Sequence, residues 1–242
     1  DNIFKATTEN GNMLQVIFFA LFFGVGLILI PAEKSKPVKD FFDGFNEVIL
    51  RLIDLIMLVA PYGVFALLAA LIVESPSLDL FRALGMYAIT LVIGLVVMGI
   101  FYLLIVRLFV KLNPKKFVEG IAPAQLLAFS TSSSAATLPV TMERVEEYLG
   151  VDEEVASFVL PIGATINMDG TSLYQAVAAV FIAQAFGMDL DMSTQLTIVM
   201  TATLASIGAA AVPGAGMVML VIVLAQAGIP EAGLALIFAI DR

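Results

Sequence analysis

The sequence predicts an all-α membrane protein: a multi-span helical bundle with two re-entrant helical hairpins, a broken helix and inverted repeats. Hydrophobic residues make up 60% of the 242 residues and charged residues only 14%, whereas about 25% of the residues in soluble domains are charged. Several uncharged runs approach the roughly 20 residues that a helix needs to cross a bilayer. Two other apolar runs are interrupted midway by serine-rich or glycine-rich segments, which favours short helices that turn back inside the membrane.

The residue types that are absent exclude several function classes. The chain has no cysteine and no histidine, and its net charge is −9. Without cysteine it cannot form disulfides or thiolate metal sites, and without histidine it lacks the commonest proton relay and catalytic base. The negative charge argues against a nucleic-acid partner, because phosphates are bound by basic surfaces.

Three membrane segments are predicted before the first interrupted run. Residues 12–30 and 83–106 are apolar, and the second of these ranges contains no charge. Residues 41–73 change from amphipathic to apolar, and Pro61 and Gly63 predict a kink or break within them. Basic residues favour the cytoplasmic side of a membrane. The ends of the first and third segments are therefore predicted inside, each followed by a basic cluster: Lys34, Lys36, Lys39, and Arg107, Lys111, Lys115, Lys116.

Residues 117–149 and 192–226 each predict a re-entrant hairpin. The first contains Ser-Thr-Ser-Ser-Ser at its centre, and hydroxyl runs are poor helix interior because they compete for backbone hydrogen bonds. The second contains Pro-Gly-Ala-Gly. Each arm of the first hairpin, about 13–14 residues or about 20 Å, is shorter than a hydrocarbon core of about 30 Å. A longer apolar segment follows each hairpin, at 155–186 and from 231 onward. Such paired broken segments indicate a transporter site between inverted repeats.

The segment 163–171 is the strongest candidate for a cation site. Asp169 lies within an apolar segment, where an ionised carboxylate costs about 2.5–3.5 kcal/mol on insertion scales, so it must meet a cation or a hydrogen-bond donor. Gly163 and Gly170 allow the backbone to leave the helix, which frees carbonyl oxygens. Hard cations prefer shells made of oxygen, and the segment adds an amide and two hydroxyls: Asn167, Thr165 and Thr171. The alternative is that Asp169 only hydrogen-bonds a neighbouring helix.

The serine-rich tip of the first hairpin is a candidate carboxylate site. A helix that begins near Ala135 directs its positive end and its free N–H groups toward the tip. The glycine- and alanine-rich segment 209–216 allows a backbone to approach a ligand closely, and its carbonyl groups can bind a cation. Each feature alone also fits a simpler interpretation, either a serine-rich turn that satisfies its own hydrogen bonds or a packing hinge between small residues.

Three segments carry a resemblance: Asn-Met-Asp-Gly-Thr at 167–171, the serine tip that ends in Thr-Leu-Pro-Val-Thr at 137–141, and Ser-Ile-Gly-Ala-Ala-Ala-Val-Pro-Gly-Ala-Gly at 206–216. Together they resemble the glutamate transporter homologues, a family of dicarboxylate/amino-acid:cation (sodium or proton) symporters. The likeness extends along essentially the whole chain. It implies an elevator-type transporter fragment that forms a homotrimer. Residues 1–73 would belong to the scaffold, and residues 80–242 to the mobile transport domain, with 231–242 beginning its last helix.

The resemblance also implies roles for individual residues, with sodium as the coupling ion and no cofactor. Substrate would lie between the two hairpin tips, and the second hairpin would be the extracellular gate. The implied substrate-binding residues are Ser132, Ser133, Ser134, Thr171, Val212, Pro213, Gly214 and Gly216. The implied sodium ligands are Gly163, Thr165, Asn167, Met168, Asp169, Ser206, Ile207 and Ala209.

The implied function is symport in the cell membrane, by a multi-pass protein that couples inward sodium movement to uptake of a small anionic solute. The solute would be an acidic amino acid such as glutamate or aspartate, or a C4-dicarboxylate. Proton coupling and neutral amino acids stay open, because the family's final helix, which reads the substrate, is expected beyond Arg242. Ser132 departs from some prokaryotic members, which carry arginine there.

Two alternatives come from other classes. A passive channel could also use re-entrant segments. An intramembrane hydrolase would need an activating base beside one of the serines at 132–134, and the chain has neither histidine nor a Gly-x-Ser-x-Gly elbow. No enzyme is therefore expected.

Overall fold

Helices form the fold of the residues that the computed structural model describes, which are 13–74, 78–209, 211 and 214–238. No strand occurs among these residues, which confirms the predicted all-α class. The helices are α1 Met13–Leu29, α2 Ala32–Glu74, α3 Leu78–Ile105, α4 Pro114–Thr131, α5 Ser134–Glu143, α6 Glu153–Ile166, α7 Asp169–Ala185, α8 Met192–Ile207, α9 Ala215–Gln226 and α10 Leu234–Phe238. π-Helical turns extend α3 and α5, and a 3-10 turn precedes α10: Val106–Val110, Arg144–Tyr148 and Glu231–Gly233.

The described residues fall into two compact units, one from the ranges Asp1–Phe81 and Ala232–Arg242 and the other from Arg82–Glu231. In the first unit, α1 and α10 both contact α2. Phe23 of α1 meets Phe42 of α2 edge to face, with ring centroids 6.0 Å apart. The functional division into a scaffold and a transport domain stays a prediction.

Of the kink or break expected at Pro61 and Gly63, the break is wrong, because α2 runs through both positions as one helix of 43 residues. A proline removes one backbone N–H and crowds the preceding turn, but the hydrogen-bond ladder continues on both sides of it. The helix also begins before the predicted apolar stretch. The carbonyl oxygen of Pro31 accepts from the N–H groups of Lys34 and Ser35 at 2.9 and 3.1 Å, so the basic linker forms the first turns of α2.

The segment Phe81–Val110 is long and apolar enough to cross a membrane, with a mean hydropathy of 2.9, and it is the one such helix within the described ranges. Helices α8 and α9 are apolar but contain only 16 and 12 residues. Their lengths, about 24 and about 18 Å at about 1.5 Å per residue, are shorter than a hydrocarbon core of about 30 Å. These lengths agree with those expected for hairpin arms.

Helices α4 and α5 pack against each other as the two arms of the first hairpin. At its base, Arg144 Nε donates to the carbonyl oxygen of Gly120 at 2.8 Å. The Arg144 guanidinium carbon lies 4.6 Å from the centre of the Tyr148 ring, within the range of a cation–π contact. A Cβ at Gly120 would lie 2.7 Å from Leu149 Cδ2. The base is therefore held by a hydrogen bond, a cation–π contact and close packing.

Helices α7, α8 and α9 form the core of the second unit. Their shared faces bury small and branched apolar side chains completely or nearly so: Ala178, Ala179, Ile182, Ile198, Leu220 and Leu224. Helix α8 begins at an N-cap, where the Asp191 carboxylate accepts from the Thr194 N–H at 2.8 Å. Hydrogen bonds from Thr194 lower the pKa of Asp191, so this cap is ionised at neutral pH.

Candidate functional site

The tip of the first hairpin consists of Ser132 and Ser133. Ser132 has a left-handed backbone (φ 50°) and donates its N–H to the carbonyl of Ala128 at 2.8 Å, which closes helix α4. Ser133 is extended, and its side chain accepts from the N–H of Ala136 at 3.2 Å, which caps helix α5. Ser134 is the first residue of α5. The serines thus end one helix and begin the next.

The second tip contacts the first tip through Ala211. The hydroxyl of Ser133 donates to the carbonyl oxygen of Ala211 at 2.9 Å, and the N–H of Ala135 donates to the same oxygen at 3.2 Å. Ser133 and Ala211 are both buried, at 9% exposure. The serine tip therefore does more than satisfy its own backbone, because two of its donors bind the other hairpin.

Four predicted substrate residues follow Ala211, and Gly216, the last of them, lies in α9. Gly214 precedes α9 and has a φ of 80°, a left-handed conformation that glycine adopts without strain. Val212 and Pro213 lie outside the described residues.

The segment 163–171 is interrupted as predicted. Helix α6 ends at Ile166 and α7 begins at Asp169. Between them, Asn167 (φ −94°, ψ 76°) and Met168 (φ −111°, ψ 56°) are not helical. The last four carbonyl groups of a helix lack partners within that helix. The break therefore makes carbonyl oxygens at the end of α6 available beside the start of α7.

Asp169 receives a hydrogen bond from another helix of the same unit. The hydroxyl of Tyr102, on α3, donates to Asp169 Oδ2. Oδ1 has no hydrogen-bond partner among the residues that the structure describes. Those residues also contain no group of three or more acidic, histidine or cysteine side chains that could hold a metal ion. A cation at Asp169 would therefore need neutral oxygens as its other ligands.

Helix α7 is tied to both arms of the second hairpin. Ser172 Oγ lies 2.6 Å from Ser206 Oγ near the end of α8, and Ser206 is only 2% exposed. Gln175 Nε2 donates to the carbonyl oxygen of Gly216 in α9 at 3.0 Å, and its side chain is fully buried. A Cβ at Gly216 would lie 3.3 Å from Thr171 Cγ2. The first two turns of α7 therefore position both sides of the second tip.

Helix ends of opposite dipole charge meet at the candidate site. Helices α5 and α9 begin at the first and second tips, α6 ends at the break at 167–168, and α8 ends just before the second tip. The N-terminal end of a helix favours an anion and the C-terminal end a cation. Ser206 and Ile207 are the last residues of α8, and Ala209 follows with its N–H bound to the Ser206 carbonyl at 3.2 Å. Such an arrangement can hold an anion beside a cation.

The structure brings some of the predicted site residues together and leaves others apart. Thr171 packs against Gly216, and Ser133 binds the second tip. In the described part of the chain, no hydrogen bond joins Thr165, Asn167 or Met168 directly to the segment 206–209. Ser172 bridges them instead, because its N–H donates to the Met168 carbonyl at 3.1 Å while its hydroxyl contacts Ser206. The sodium site shared by these segments stays a prediction.

Sequence reasoning missed Tyr102, Ser172 and Gln175. A signal existed for two of them. Ser172 lies three residues after Asp169, and Gln175 lies four residues after Thr171, so each shares a helix face with a predicted site residue. No comparable signal marks Tyr102, because its contact depends on how α3 packs against α7.

Gly216 leads to a prediction about the packing of the second tip. Gly216→Val should disturb the start of α9, because its Cβ would be 3.3 Å from Thr171 Cγ2 and its methyl groups would add further volume. Overpacking of this kind typically costs about 1–3 kcal/mol. We expect a lower apparent melting temperature and reduced uptake in the full-length protein. Gly99→Val on α3 is the matched control, because a Cβ there meets no described atom within 4 Å. Equal behaviour of the two variants would contradict the packing.

Comparisons with known proteins relate the chain to one family of transporters. Residues 1–242 match the profile of the Sodium:dicarboxylate symporter family. The chain is 47% identical to excitatory amino acid transporter 1 of Ambystoma tigrinum, over 95% of this chain and 42% of that protein. It is 44% identical to excitatory amino acid transporter 2 of Homo sapiens and 46% identical to excitatory amino acid transporter 3 of Mus musculus, over 95% of this chain and 40% and 44% of those proteins.

The chain thus spans less than half the length of the curated relatives that it matches. The family and these relatives are described as symporters or transporters. The match over the whole chain confirms the resemblance carried by the segments 137–141, 167–171 and 206–216. The chain belongs to the sodium:dicarboxylate symporter family.

Proposed function

We propose that the full-length protein is a sodium-coupled symporter that takes up a small anionic solute, either an acidic amino acid or a C4-dicarboxylate. The observation that most supports this function is the contact between the two tips. Ser133 and the N–H of Ala135 bind the carbonyl of Ala211. The second tip also contacts Thr171 and Ser172, just after Asp169. Two tips that meet in this way would form a gate, which a channel does not need.

The chemistry of the first tip supports an anionic solute. The donors that bind the Ala211 carbonyl are a hydroxyl and a backbone N–H at the start of α5, and a carboxylate accepts from the same types of donor. Helix α5 contains ten residues, so its N-terminal dipole also favours negative charge. The names of the relatives favour an amino acid as the solute, and the family description favours a dicarboxylate.

Sodium is the proposed coupling ion because the candidate ligands are oxygens. Asp169 supplies charge, and the break at 167–168 supplies carbonyl groups, together with the amide of Asn167 and the hydroxyl of Thr165. Met168 and the segment 206–209 would complete a further site. Monovalent hard cations fit such oxygen shells, by analogy with calcium and magnesium. The family description supports sodium as well.

The proposal extends to assembly and motion. We place the full-length protein in the membrane as a multi-pass homotrimer, in which α4 with α5 and α8 with α9 act as re-entrant hairpins. The second hairpin would open and close the site, and a transport domain would then carry the closed site across the membrane as an elevator. The short arms of α8 and α9, together with the membrane-length segment Phe81–Val110, support this arrangement.

Uptake into proteoliposomes tests the proposal. The full-length protein should accumulate labelled glutamate, aspartate or succinate when sodium is high outside, with saturation at increasing solute. It should not do so under a proton gradient without sodium. Serine and alanine are the matched neutral solutes, and protein-free liposomes are the blank. Uptake driven by protons alone, or preference for the neutral solutes, would replace this proposal with the corresponding alternative. Unsaturable, gradient-independent flux would indicate a channel.

A further inference from the structure

The hydrogen bond from Tyr102 to Asp169 joins a membrane-length helix to the proposed cation site. Tyr102 lies near the end of α3, within an apolar stretch that has no charged residue between 83 and 106. Its hydroxyl donates to Asp169 Oδ2. Thr90 on the same helix behaves differently, because its hydroxyl donates to the Met86 carbonyl of α3 itself at 2.8 Å. The Tyr102 hydroxyl instead binds a residue of another helix, so this contact depends on how α3 and α7 lie against each other.

Packing between α3 and α7 fixes the Tyr102 ring in register with Asp169. The rings of Tyr87 and Phe181 are in tilted contact, with centroids 5.0 Å apart. Further along α3, a Cβ at Gly94 would lie 3.0 Å from Leu173 Cδ2. The contacts run in opposite directions along the two helices, from Tyr87 with Phe181 to Tyr102 with Asp169. The two helices are therefore antiparallel, and the tyrosine reaches the carboxylate at one end of a row of three separate contacts.

We propose that Tyr102 is a positioning residue for the cation site: it holds Asp169 Oδ2 so that Oδ1 faces the ion. This inference rests on the proposed binding of sodium at Asp169. An ionised carboxylate has two oxygens and about four acceptor positions, so the tyrosine and the ion can bind it together. Partners of this kind orient metal ligands and increase the affinity of the site.

The position of Asp169 at the start of α7 explains why a hydrogen bond from another helix would help to order its carboxylate. Asp169 is the first residue of α7, and among the described residues its carboxylate accepts a hydrogen bond only from Tyr102. The preceding residues, Asn167 and Met168, are not helical. A carboxylate at such a break has more than one rotamer available, and ordering it on ion binding would lower affinity. A hydrogen bond from a rigid helix removes that freedom before the ion binds.

The test measures sodium activation of uptake by the full-length protein. Tyr102→Phe removes the hydroxyl and keeps the ring. We expect the sodium concentration for half-maximal uptake to rise by about tenfold, the lower end of the range for outer partners of metal ligands, while the rate at saturating sodium changes by less than about twofold. The matched control is Tyr148→Phe, which retains the aromatic ring beside Arg144 at the hairpin base and should leave sodium activation unchanged.

A double variant separates this inference from the proposed function. If Tyr102 acts through Asp169, then Tyr102→Phe should have little further effect in the Asp169→Asn background. If Tyr102→Phe still raises the sodium requirement tenfold in that background, the positioning role is overturned. It is also overturned if Tyr102→Phe alone lowers the sodium requirement, because the tyrosine hydroxyl would then compete with the ion for the carboxylate. If Asp169→Asn weakens sodium activation and Tyr102→Phe leaves it unchanged, the positioning role is overturned, whereas the proposed cation site at Asp169 is supported. Unchanged activation in both variants would overturn both.

A binding measurement makes the result independent of transport rate. Sodium that binds the folded protein raises its melting temperature in proportion to the logarithm of its concentration over its dissociation constant. In substrate-free protein, the sodium-dependent rise should need about tenfold more sodium in Tyr102→Phe than in the parent or in Tyr148→Phe. Identical sodium titrations for all three proteins would contradict the positioning role, even if uptake by Tyr102→Phe were too low to measure.

Discussion

Asp169→Asn in the full-length protein should raise the sodium concentration needed for half-maximal uptake by about thirtyfold or more. The change removes the negative charge and keeps the shape of the side chain. Two unit charges about 4 Å apart attract by about 4 kcal/mol at an effective dielectric constant of about 20. Half of this value, which allows for solvent around an exposed carboxylate, is about 2 kcal/mol, or about thirtyfold in affinity. The steepness of sodium activation should also decrease, because one ion loses its charged ligand.

Asp191→Asn is the matched control for this experiment. It makes the same chemical change at the N-cap of α8, where the Asp191 carboxylate accepts from the Thr194 N–H. Asparagine caps helices about as well as aspartate, so sodium activation and stability should be nearly unchanged. If Asp169→Asn keeps the sodium requirement of the parent, then Asp169 does not bind the coupling ion. The alternative interpretation, a carboxylate that only hydrogen-bonds a neighbouring helix through Tyr102, would then be sufficient.

The sequence predicted the interruptions better than it predicted the continuous helices. The serines at 132–133 and the break at 167–168 lie where residue chemistry opposes helix: hydroxyls that cap the backbone, and a polar segment between two glycines. At Pro61 the same type of reasoning failed. Pro61 and Gly63 predict a kink or break, but α2 continues through both because the turns on both sides retain their hydrogen bonds. A proline and a glycine within an apolar stretch therefore indicate an interruption less reliably than a run of polar or hydroxyl residues does.

Contacts across the site could not be predicted, because they depend on the relative placement of helices. Ser133 is separated from Ala211 by 78 residues, and Tyr102 from Asp169 by 67. Hydrophobic periodicity and residue type identify faces of helices, but they do not say which faces meet. The family resemblance predicted that the residues of the two tips bind substrate. The contact of Tyr102 with Asp169 and the contact of Ser172 with Ser206 became visible only in the structure.

The contact between the tips leads to a second large expected effect. Ser133 Oγ lies 2.9 Å from the carbonyl oxygen of Ala211, so side chains introduced at these two positions would be close enough for a short thiol-specific bridge. Fixing the tips together should prevent the second hairpin from opening, and a solute could then neither enter nor leave. The chain itself contains no cysteine, so within residues 1–242 the reagent would meet only the introduced thiols.

We expect Ser133→Cys combined with Ala211→Cys to lose nearly all sodium-driven uptake after treatment with mercuric ion, and to recover it when excess dithiol removes the metal. The two single variants control for modification of one thiol and for thiols elsewhere in the full-length protein, and Ala211→Cys alone should keep most of its uptake under the same treatment. The bridge can be measured separately as protection of both thiols from a maleimide label. A protein with both thiols protected that still transports at the untreated rate would show that separation of the tips is not required. Lack of protection would show that the tips do not meet in the membrane, and the gate would have to be sought elsewhere in the second hairpin.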